Sequence, residues 1–481
     1  MTSFHATKDL IPEGVLLLGA LVCGGLAAAR RSIGHRAHMA ISAATLVVAA
    51  LTCLVYLKGL PGAGYDAYNG ALVVDRFTLF AIPVLCGFAL LTILAGDGLA
   101  DRVRPHAGEY HALILTATLG GALLAAARDL VALYIALELL SVSLYVLVAI
   151  TKTEAKGSEA AFKFLVLGAA SSATLLYGFA MLYGLAGSTA LPDIATALQH
   201  TTAPTALAIA LALTGMAFKL GAVPFHQWVP DVYEGAPSPV AGLLASLSAA
   251  AGFTMVARFT VTALPQSTST WTAVIAVVAA ASMVYGNLAA LGQRRLRRLL
   301  GYSSIGQAGF ILMGLLGHGQ DGVGASLFYL LTYGITVIGA FAAISAVEGG
   351  GVSDDLESYR GLSARSPLAA ATLGVAMVSL IGVPPLVGFF AKLVVFQAAA
   401  LTGWGWLVVL AVTATVVSAA YYLRVLRVIY IDAPAEGAED LEPEPPILRG
   451  SLAAAAAATV FLGVLAQPLL HVATAGGGSL P

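Results

Sequence analysis

Three lysines and one glutamate stand where ionisable residues are expensive. Lys163, Lys219, Lys392 and Glu138 all fall inside stretches apolar enough to cross a bilayer. A charge at mid-membrane costs at least about 2.5–3.5 kcal/mol on insertion scales. Lysine is a titratable cation that responds to burial, whereas arginine stays charged. Amines and a carboxylate held in an apolar medium are the groups a chain needs to hand protons along. Two of the four also have a plainer reading. Lys163 follows Glu159 by four residues near the end of its stretch, from where it can snorkel to the interface. Glu138 lies well inside its stretch and can form a structural ion pair with Lys163.

Lys219 and Lys392 have a shared context. Lys219 stands in GMAFKLGAVPF, five residues before Pro224, and Lys392 in IGVPPLVGFFAK, seven residues after Pro385 and eight after Pro384. Proline removes a backbone donor and breaks the helical ladder. The carbonyls freed inside a membrane must face protein or water. Paired spans interrupted by Gly and Pro point to inverted repeats of the transporter type, with the binding residues at the breaks. Lysine precedes proline in one span and follows it in the other, as opposite chain directions require.

The elements that position these residues follow from hydropathy. The chain has 481 residues, 59% hydrophobic and only 10% charged, with mean hydropathy +0.89. Soluble domains carry about 25% charged residues, so soluble, disordered and fibrous classes are excluded. With 24 basic and 25 acidic residues there is no global field to attract nucleic acid. Stretches of about 20 apolar residues, the length of a bilayer-crossing helix, recur at 10–29, 39–57, 77–96, 111–128, 129–150, 162–186, 205–224, 238–260, 272–292, 299–316, 324–347, 367–397, 403–423 and 450–472. The fold class is an all-α polytopic membrane protein of about fourteen transmembrane helices. The 128/129 division rests only on the Arg128–Asp129 pair. Loops after odd-numbered spans hold sixteen cations, against five on the other side, counting Lys8, Lys58, Arg76, Arg128 and Arg258. The positive-inside rule then puts the odd loops in the cytoplasm and both termini outside.

The expected domains are an N-terminal segment (1–110), five-helix repeats at 111–260 and 272–423, an acidic cytoplasmic loop (424–449) and a C-terminal helix (450–481). Other features carry less. Cys23, Cys53 and Cys86 are far apart and read as apolar fillers. No metal-ligand cluster, nucleophile motif or phosphate loop appears, so no metal is expected. GHGQDG, Gly317 to Gly322, matches a dinucleotide pattern but lies between membrane spans with no preceding strand. RRLRR, Arg294 to Arg298, reads as an orientation signal. His226, just past Pro224, is a candidate proton relay between Lys219 and cytoplasmic water, or a hydrogen-bonded loop histidine. The N-terminus lacks the charge pattern of a signal peptide.

KLGAVPFHQWVPDVYEGAPSPV closely resembles the signature stretch of the antiporter-like membrane subunits of respiratory complex I. LYIALELLSVSLYVLVA, EAAFKFLVLGAASSATLLYGFAMLYGLAGST, RRLLGYSSIGQAGF, GVPPLVGFFAKLVVF and AAYYLRVLRVIY resemble the subunit N group of bacterial NADH:quinone oxidoreductases. The resemblance runs from about residue 70 to 430. It implies fourteen helices with two inverted five-helix repeats and two broken helices. It also implies a proton path through the membrane arm, driven by quinone reduction elsewhere. By motif, Glu138 corresponds to the family's lysine-pairing carboxylate, Lys219 and Lys392 to the lysines of the two broken helices, and Lys163 to a further family lysine. The family implies a bacterial inner-membrane location, membrane lipid and other membrane-arm subunits as partners, antiporter-like and small. NADH, FMN, iron–sulfur clusters and quinone belong to partner chains, with no cofactor on this one. Two positions depart from the family. Ala249 stands where a lysine usually links the half-channels, and Gln307 where histidine is usual. Neither can titrate. Two further readings follow: a structural or assembly subunit with impaired pumping, and a stand-alone cation/proton antiporter.

Overall fold

The computed structural model describes residues 10–29, 34–62, 64–99, 106–151, 155–317, 319–349, 353–434, 441 and 443–480. Lys8, Arg30, Arg31, Arg102, Arg104 and Lys152 of the charge asymmetry lie outside the described residues, as do His318 of GHGQDG and most of the acidic stretch after Pro434. The apolar runs form helices α1 (Ile11–Ala28), α2 (His35–Gly59), α3 (Arg76–Ala95), α4 (Ala107–Ala126), α5 (Leu130–Val148), α6 (Ala155–Ala186) and α7 (Ala203–Leu220). After a break come α8 (Trp228–Gly235), α9 (Ser238–Ala263), α10 (Thr268–Leu291), α11 (Leu296–Leu315) and α12 (Gly319–Gly349). The chain finishes with α13 (Pro367–Ile381), α14 (Val387–Leu401), α15 (Gly405–Tyr430), α16 (Pro446–Val464) and α17 (Ala466–Gly477). A two-stranded ribbon, Tyr65–Ala67 against Leu72–Val74, precedes α3.

Among the described residues, twelve helices are long and apolar enough to cross a membrane. The expected spans 299–316 and 367–397 fall on α11 and on the pair α13 and α14. Helix α11 is not among the twelve, and α13 and α14 are each too short to cross a membrane alone. The expected span 450–472 is two helices, because the backbone turns out of helical geometry at Leu465. Helix α17 then packs beside α12 and α3. The α4/α5 boundary has a physical cause. Asp129 caps α5, accepting from Val131 N at 2.8 Å and Ala132 N at 3.3 Å. This satisfies donors that a helix start leaves free.

The bundle is centred on α9 and α12, whose spanning windows are 94% and 89% buried. Small residues set the spacing around them. A side chain at Gly286 of α10 would meet the backbone of Gly306 on α11 at 2.5 Å, so those helices touch at the main chain, as small-residue interfaces in membranes permit. Arg258 corrects a sequence expectation. It is not an outer-loop cation but is 2% exposed within α9. Its guanidinium grips Asp75 through two hydrogen bonds, 2.7 and 3.0 Å, and also donates to Thr78 Oγ1 (2.9 Å) and Ala125 O (2.8 Å). It thereby ties α9 to the starts and ends of α3 and α4.

Ion pairs and hydrogen bonds show which loops share a side. Lys163–Asp231 (2.9 Å), Arg298–Asp231 (2.5 Å), Lys156–Glu234 (3.8 Å) and Arg297–Asp354 (3.4 Å) join loops after spans 5, 7, 9 and 11. Across the bundle, Arg128 pairs with Asp66, Leu130 N donates to Thr189 O at 2.9 Å, and Thr201 bonds Ser267 at 2.8 Å. These join loops after spans 2, 4, 6 and 8.

Candidate functional site

Lys219 occupies the last turn of α7. The helix stops there because Gly221 takes φ +64° as its C-terminal cap, a conformation glycine adopts without penalty. Pro224, in a cis bond to Val223, then lies in the segment joining α7 to α8. Lys219 is 2% exposed and its Nζ donates to Ser141 Oγ at 3.1 Å. Ser141 lies one turn along α5 from Glu138, whose carboxylate accepts from Ser172 of α6. Glu138 is the carboxylate whose charge acts on Lys219. No direct ion pair joins the two side chains, and Ser141 donates its own hydroxyl proton to Leu137 O at 2.7 Å. Against the other flank of Lys219 lies Gly252 of α9, where a side chain would come 3.3 Å from the Lys219 stem.

Lys392 mirrors this arrangement with the break on its other side. Helix α13 ends at Gly382, φ +91°. Pro384 and Pro385, joined by a cis bond, follow, and α14 restarts at Val387. Lys392 is 5% exposed and its Nζ donates to the carbonyls of Leu380 (2.9 Å) and Ile381 (3.0 Å). These are acceptors that the end of α13 leaves without helical partners. The break therefore supplies the lysine's hydrogen bonds.

Two small cavities share Tyr333, one bordered by Lys392 and the other by Leu220, the neighbour of Lys219. One, with room for about one water molecule, is lined by Lys392, Gln307, Tyr329, Tyr333 and Ser379 among others. Gln307 accepts from Tyr329 Oη at 2.5 Å and donates to Tyr422 Oη at 3.3 Å, so its amide is fixed at both ends. The other, equally small, is lined by Leu220, Tyr233, Ala249, Ser304 and Tyr333 among others. Tyr333 therefore borders both, and its hydroxyl bonds Ser304 Oγ at 2.6 Å. Ala249 follows a widened, π-type turn over Leu244–Ser248, a distortion common at functional sites. The Ser248 hydroxyl is buried without a hydrogen-bond partner.

Sequence reasoning missed Tyr329, Tyr333, Ser304, Ser141 and Ser172. A signal existed for the first two. Tyr329, Thr332, Tyr333 and Thr336 recur at helical spacing in an otherwise apolar run, a polar stripe facing one way.

Lys163 does not join the internal axis, contrary to its expected place in the proton path. Its side chain is 42% exposed and pairs with Glu159 (2.8 Å) and Asp231 (2.9 Å). Nor does it pair with Glu138, whose partner Ser172 lies nine residues further along the same helix, about 13 Å. The hydropathy boundary at 162 hid this. Helix α6 begins at Ala155, so Lys163 is near its start, among the charged loops. Burial pushes the Asp231 carboxyl up, but hydrogen bonds from Lys163 and Arg298 outweigh it and hold it below the usual carboxylate range. His226 is 8% exposed and packs edge-on against Tyr285, ring centres 4.4 Å apart. No hydrogen bond joins it to Lys219. Among the described residues, no group of three or more His, Cys, Asp or Glu is arranged to hold a metal ion.

The chain is similar to membrane subunits of known complexes. Residues 127–418 match the family described as NADH:quinone oxidoreductase/Mrp antiporter, transmembrane. An NADH-quinone oxidoreductase subunit N of Methylobacterium nodulans is 38% identical, over 99% of this chain and 98% of that one. Another from Heliobacterium modesticaldum is 39% identical over 87% and 88% of the two chains. In three dimensions, a chain of respiratory complex I from Thermus thermophilus superposes with a TM-score of 0.81 and 33% identity, covering 97% of this chain and all of that one.

Proposed function

Because the chain belongs to the NADH:quinone oxidoreductase/Mrp antiporter membrane family, we propose that it is a proton-translocating membrane-arm subunit of a complex I-type NADH:quinone oxidoreductase. The observation that carries the mechanism is Tyr333, which borders the cavities beside Ala249 and beside Lys392. A proton leaving Lys219 crosses the Ala249 cavity with the Ser304–Tyr333 hydroxyl pair as its bridge. It then passes the Tyr329–Gln307 pair and arrives at Lys392. Gln307 takes part as a hydrogen-bonding amide, not as a titrating group. Loss of negative charge at Glu138 weakens the preference of Lys219 for its charged form and starts the transfer. Lys163 serves the surface network, and His226 is left beside the path.

NADH, FMN, iron–sulfur clusters and quinone are assigned to partner chains of the complex. Other membrane-arm subunits and lipid cover the outward apolar faces. We read 111–260 and 272–423 as the inverted repeats, which the two glycine-capped breaks with a lysine on opposite sides support. The protein sits in a bacterial plasma membrane with both termini on the outer side.

Two substitutions in the intact reconstituted complex test the bridge, with proton translocation and quinone reduction followed together. Tyr333→Phe removes a hydroxyl and slows transfer through this chain about tenfold, the equivalent of a hydrogen bond of about 1.4 kcal/mol. Ala249→Lys gives no gain in protons per electron, because the native route already crosses. A gain would show that the native route is interrupted. That result would favour the second reading, a structural subunit with impaired pumping, which Ala249 itself motivates.

A further inference from the structure

Three histidines meet at one end of the N-terminal helices, on the side of the odd-numbered loops. His35 and His38 lie in the first turn of α2 and His111 in the second turn of α4. All three are buried, His111 completely. The ring centres of His35 and His111 are 5.3 Å apart, and those of His38 and His111 6.3 Å. A glycine allows the helices to close here. A side chain at Gly108 of α4 would meet Ala27 of α1 at 2.6 Å and the His38 ring at 3.1 Å. Nδ1 of His38 and both ring nitrogens of His111 are buried without a hydrogen-bond partner. Buried polar groups are nearly always paired, so orphaned nitrogens on two touching rings call for a ligand. The rings do not converge on a point that could hold a metal ion. Other ionisable groups are few around the cluster. On α4, Glu109 is exposed and acts on His38, and Tyr110 sets its ring edge-on to His111 at 5.4 Å. Cys23 of α1 is held by Ser42 at 3.6 Å, Arg36 of α2 is exposed, and His106 precedes α4. At the end of α3, Asp97 follows Gly96, which touches the Tyr110 hydroxyl. Among the described residues, α5 and α9 bring only apolar or hydroxyl side chains to the level of His111.

We propose that His35, His38 and His111 form a proton-binding site apart from the lysine axis, which fastens α1 and α2 to α4 while neutral and releases them on protonation. A neutral imidazole has one donor and one acceptor nitrogen, whereas the protonated ring has two donors and no acceptor. In the closed cluster the donors of a charged His111 would face carbon and the other rings, and two charged rings at this spacing repel. Proton uptake therefore belongs to an opened cluster whose rings reach water. The open form holds the extra proton, so the closed form is fully stable above about pH 6.5, the ordinary value of imidazole, and loses stability as pH falls below it. At pH 5.5, uptake of one proton favours opening about tenfold, and of two about a hundredfold. Helices α1 and α2 follow one another on this side and lie outside both five-helix repeats. They can part from α4 without disturbing Lys219 or Lys392, and the proposal does not rest on those lysines exchanging protons.

Hydrogen exchange of the assembled complex in lipid nanodiscs, followed by mass spectrometry at pH 7.5 and 5.5, tests the latch. Rates are corrected for the intrinsic pH dependence of amide exchange. Peptides from the end of α1 and the starts of α2 and α4 are expected to lose protection about tenfold at pH 5.5, while α10 and α11 keep theirs. His111→Leu puts an apolar side chain at the centre of the cluster and is expected to hold protection equal at the two pH values. His38→Leu removes one of the neighbouring rings and is expected to reduce the fall. Unchanged protection in the wild type at pH 5.5 overturns the proposal, as does a fall that α10 and α11 share equally. A fall that persists in full in the variants overturns it too. Assembly is checked by subunit content, and either variant alone decides whether the histidines are responsible.

Discussion

Lys219→Ala is expected to abolish proton transfer through this subunit, by about a hundredfold or more, the scale on which positioned acid–base groups act. The amine is the first titratable group on the internal axis, held by Ser141 at 3.1 Å and within the field of Glu138. Alanine removes the proton carrier. Lys219→Arg separates titration from charge. Arginine keeps the positive charge but does not give up its proton, so it should pump as poorly as alanine while restoring any purely structural ion-pairing role. The measurement is proton uptake into vesicles per quinone reduced, with assembly checked by subunit content. Wild-type pumping by Lys219→Arg would rule out an exchanging amine at this position.

The second large effect concerns stability. Arg258 and Asp75 are 2% and 3% exposed, and the guanidinium donates to four acceptors. Removing one member of a buried pair leaves the other charge unpaired and costs about 3–5 kcal/mol. Arg258→Met also takes one donor each from Ala125 O and Thr78 Oγ1, and Asp75 goes on capping α3 through Thr78 N. We expect the single variant to lose most of its assembled protein and to unfold at lower temperature in detergent. Arg258→Met combined with Asp75→Leu should recover part of the loss, because an apolar pair of similar volume leaves no uncompensated charge, although the cap of α3 goes with it. No recovery in the double variant would mean that the cap and the carbonyl contacts matter more than charge pairing. The expected effect lies in stability, since neither residue borders the two cavities that share Tyr333.

Arg258 also shows where a linear reading stops. Counted along the chain it is one cation of the less basic side, close to a span end. Its role depends on Asp75 and Ala125, more than a hundred residues away. Lys163 is the converse case. Its hydropathy context made it an equal of Lys219 and Lys392, yet the ion pair to Asp231, also distant in sequence, draws it to the surface. Ala249 looks like a missing link when compared with the family pattern, and gains polar neighbours only once α11 and α12 bring Ser304 and Tyr333 against its cavity.

The properties legible from residues alone were those set by near neighbours. Apolar runs must become helices because a bilayer leaves no other partner for the backbone. Gly221, Gly382 and the prolines beside them interrupt those helices by local dihedral preference, and Asp129 starts one by capping it. From these came the membrane class, the two broken helices and the buried amines at 219 and 392. Which polar groups meet between the amines was decided by tertiary structure. Helix rotation and crossing are set by contacts such as Gly286 on Gly306, and hydropathy carries no information about them. A helix face acquires its partners only when another helix is packed against it.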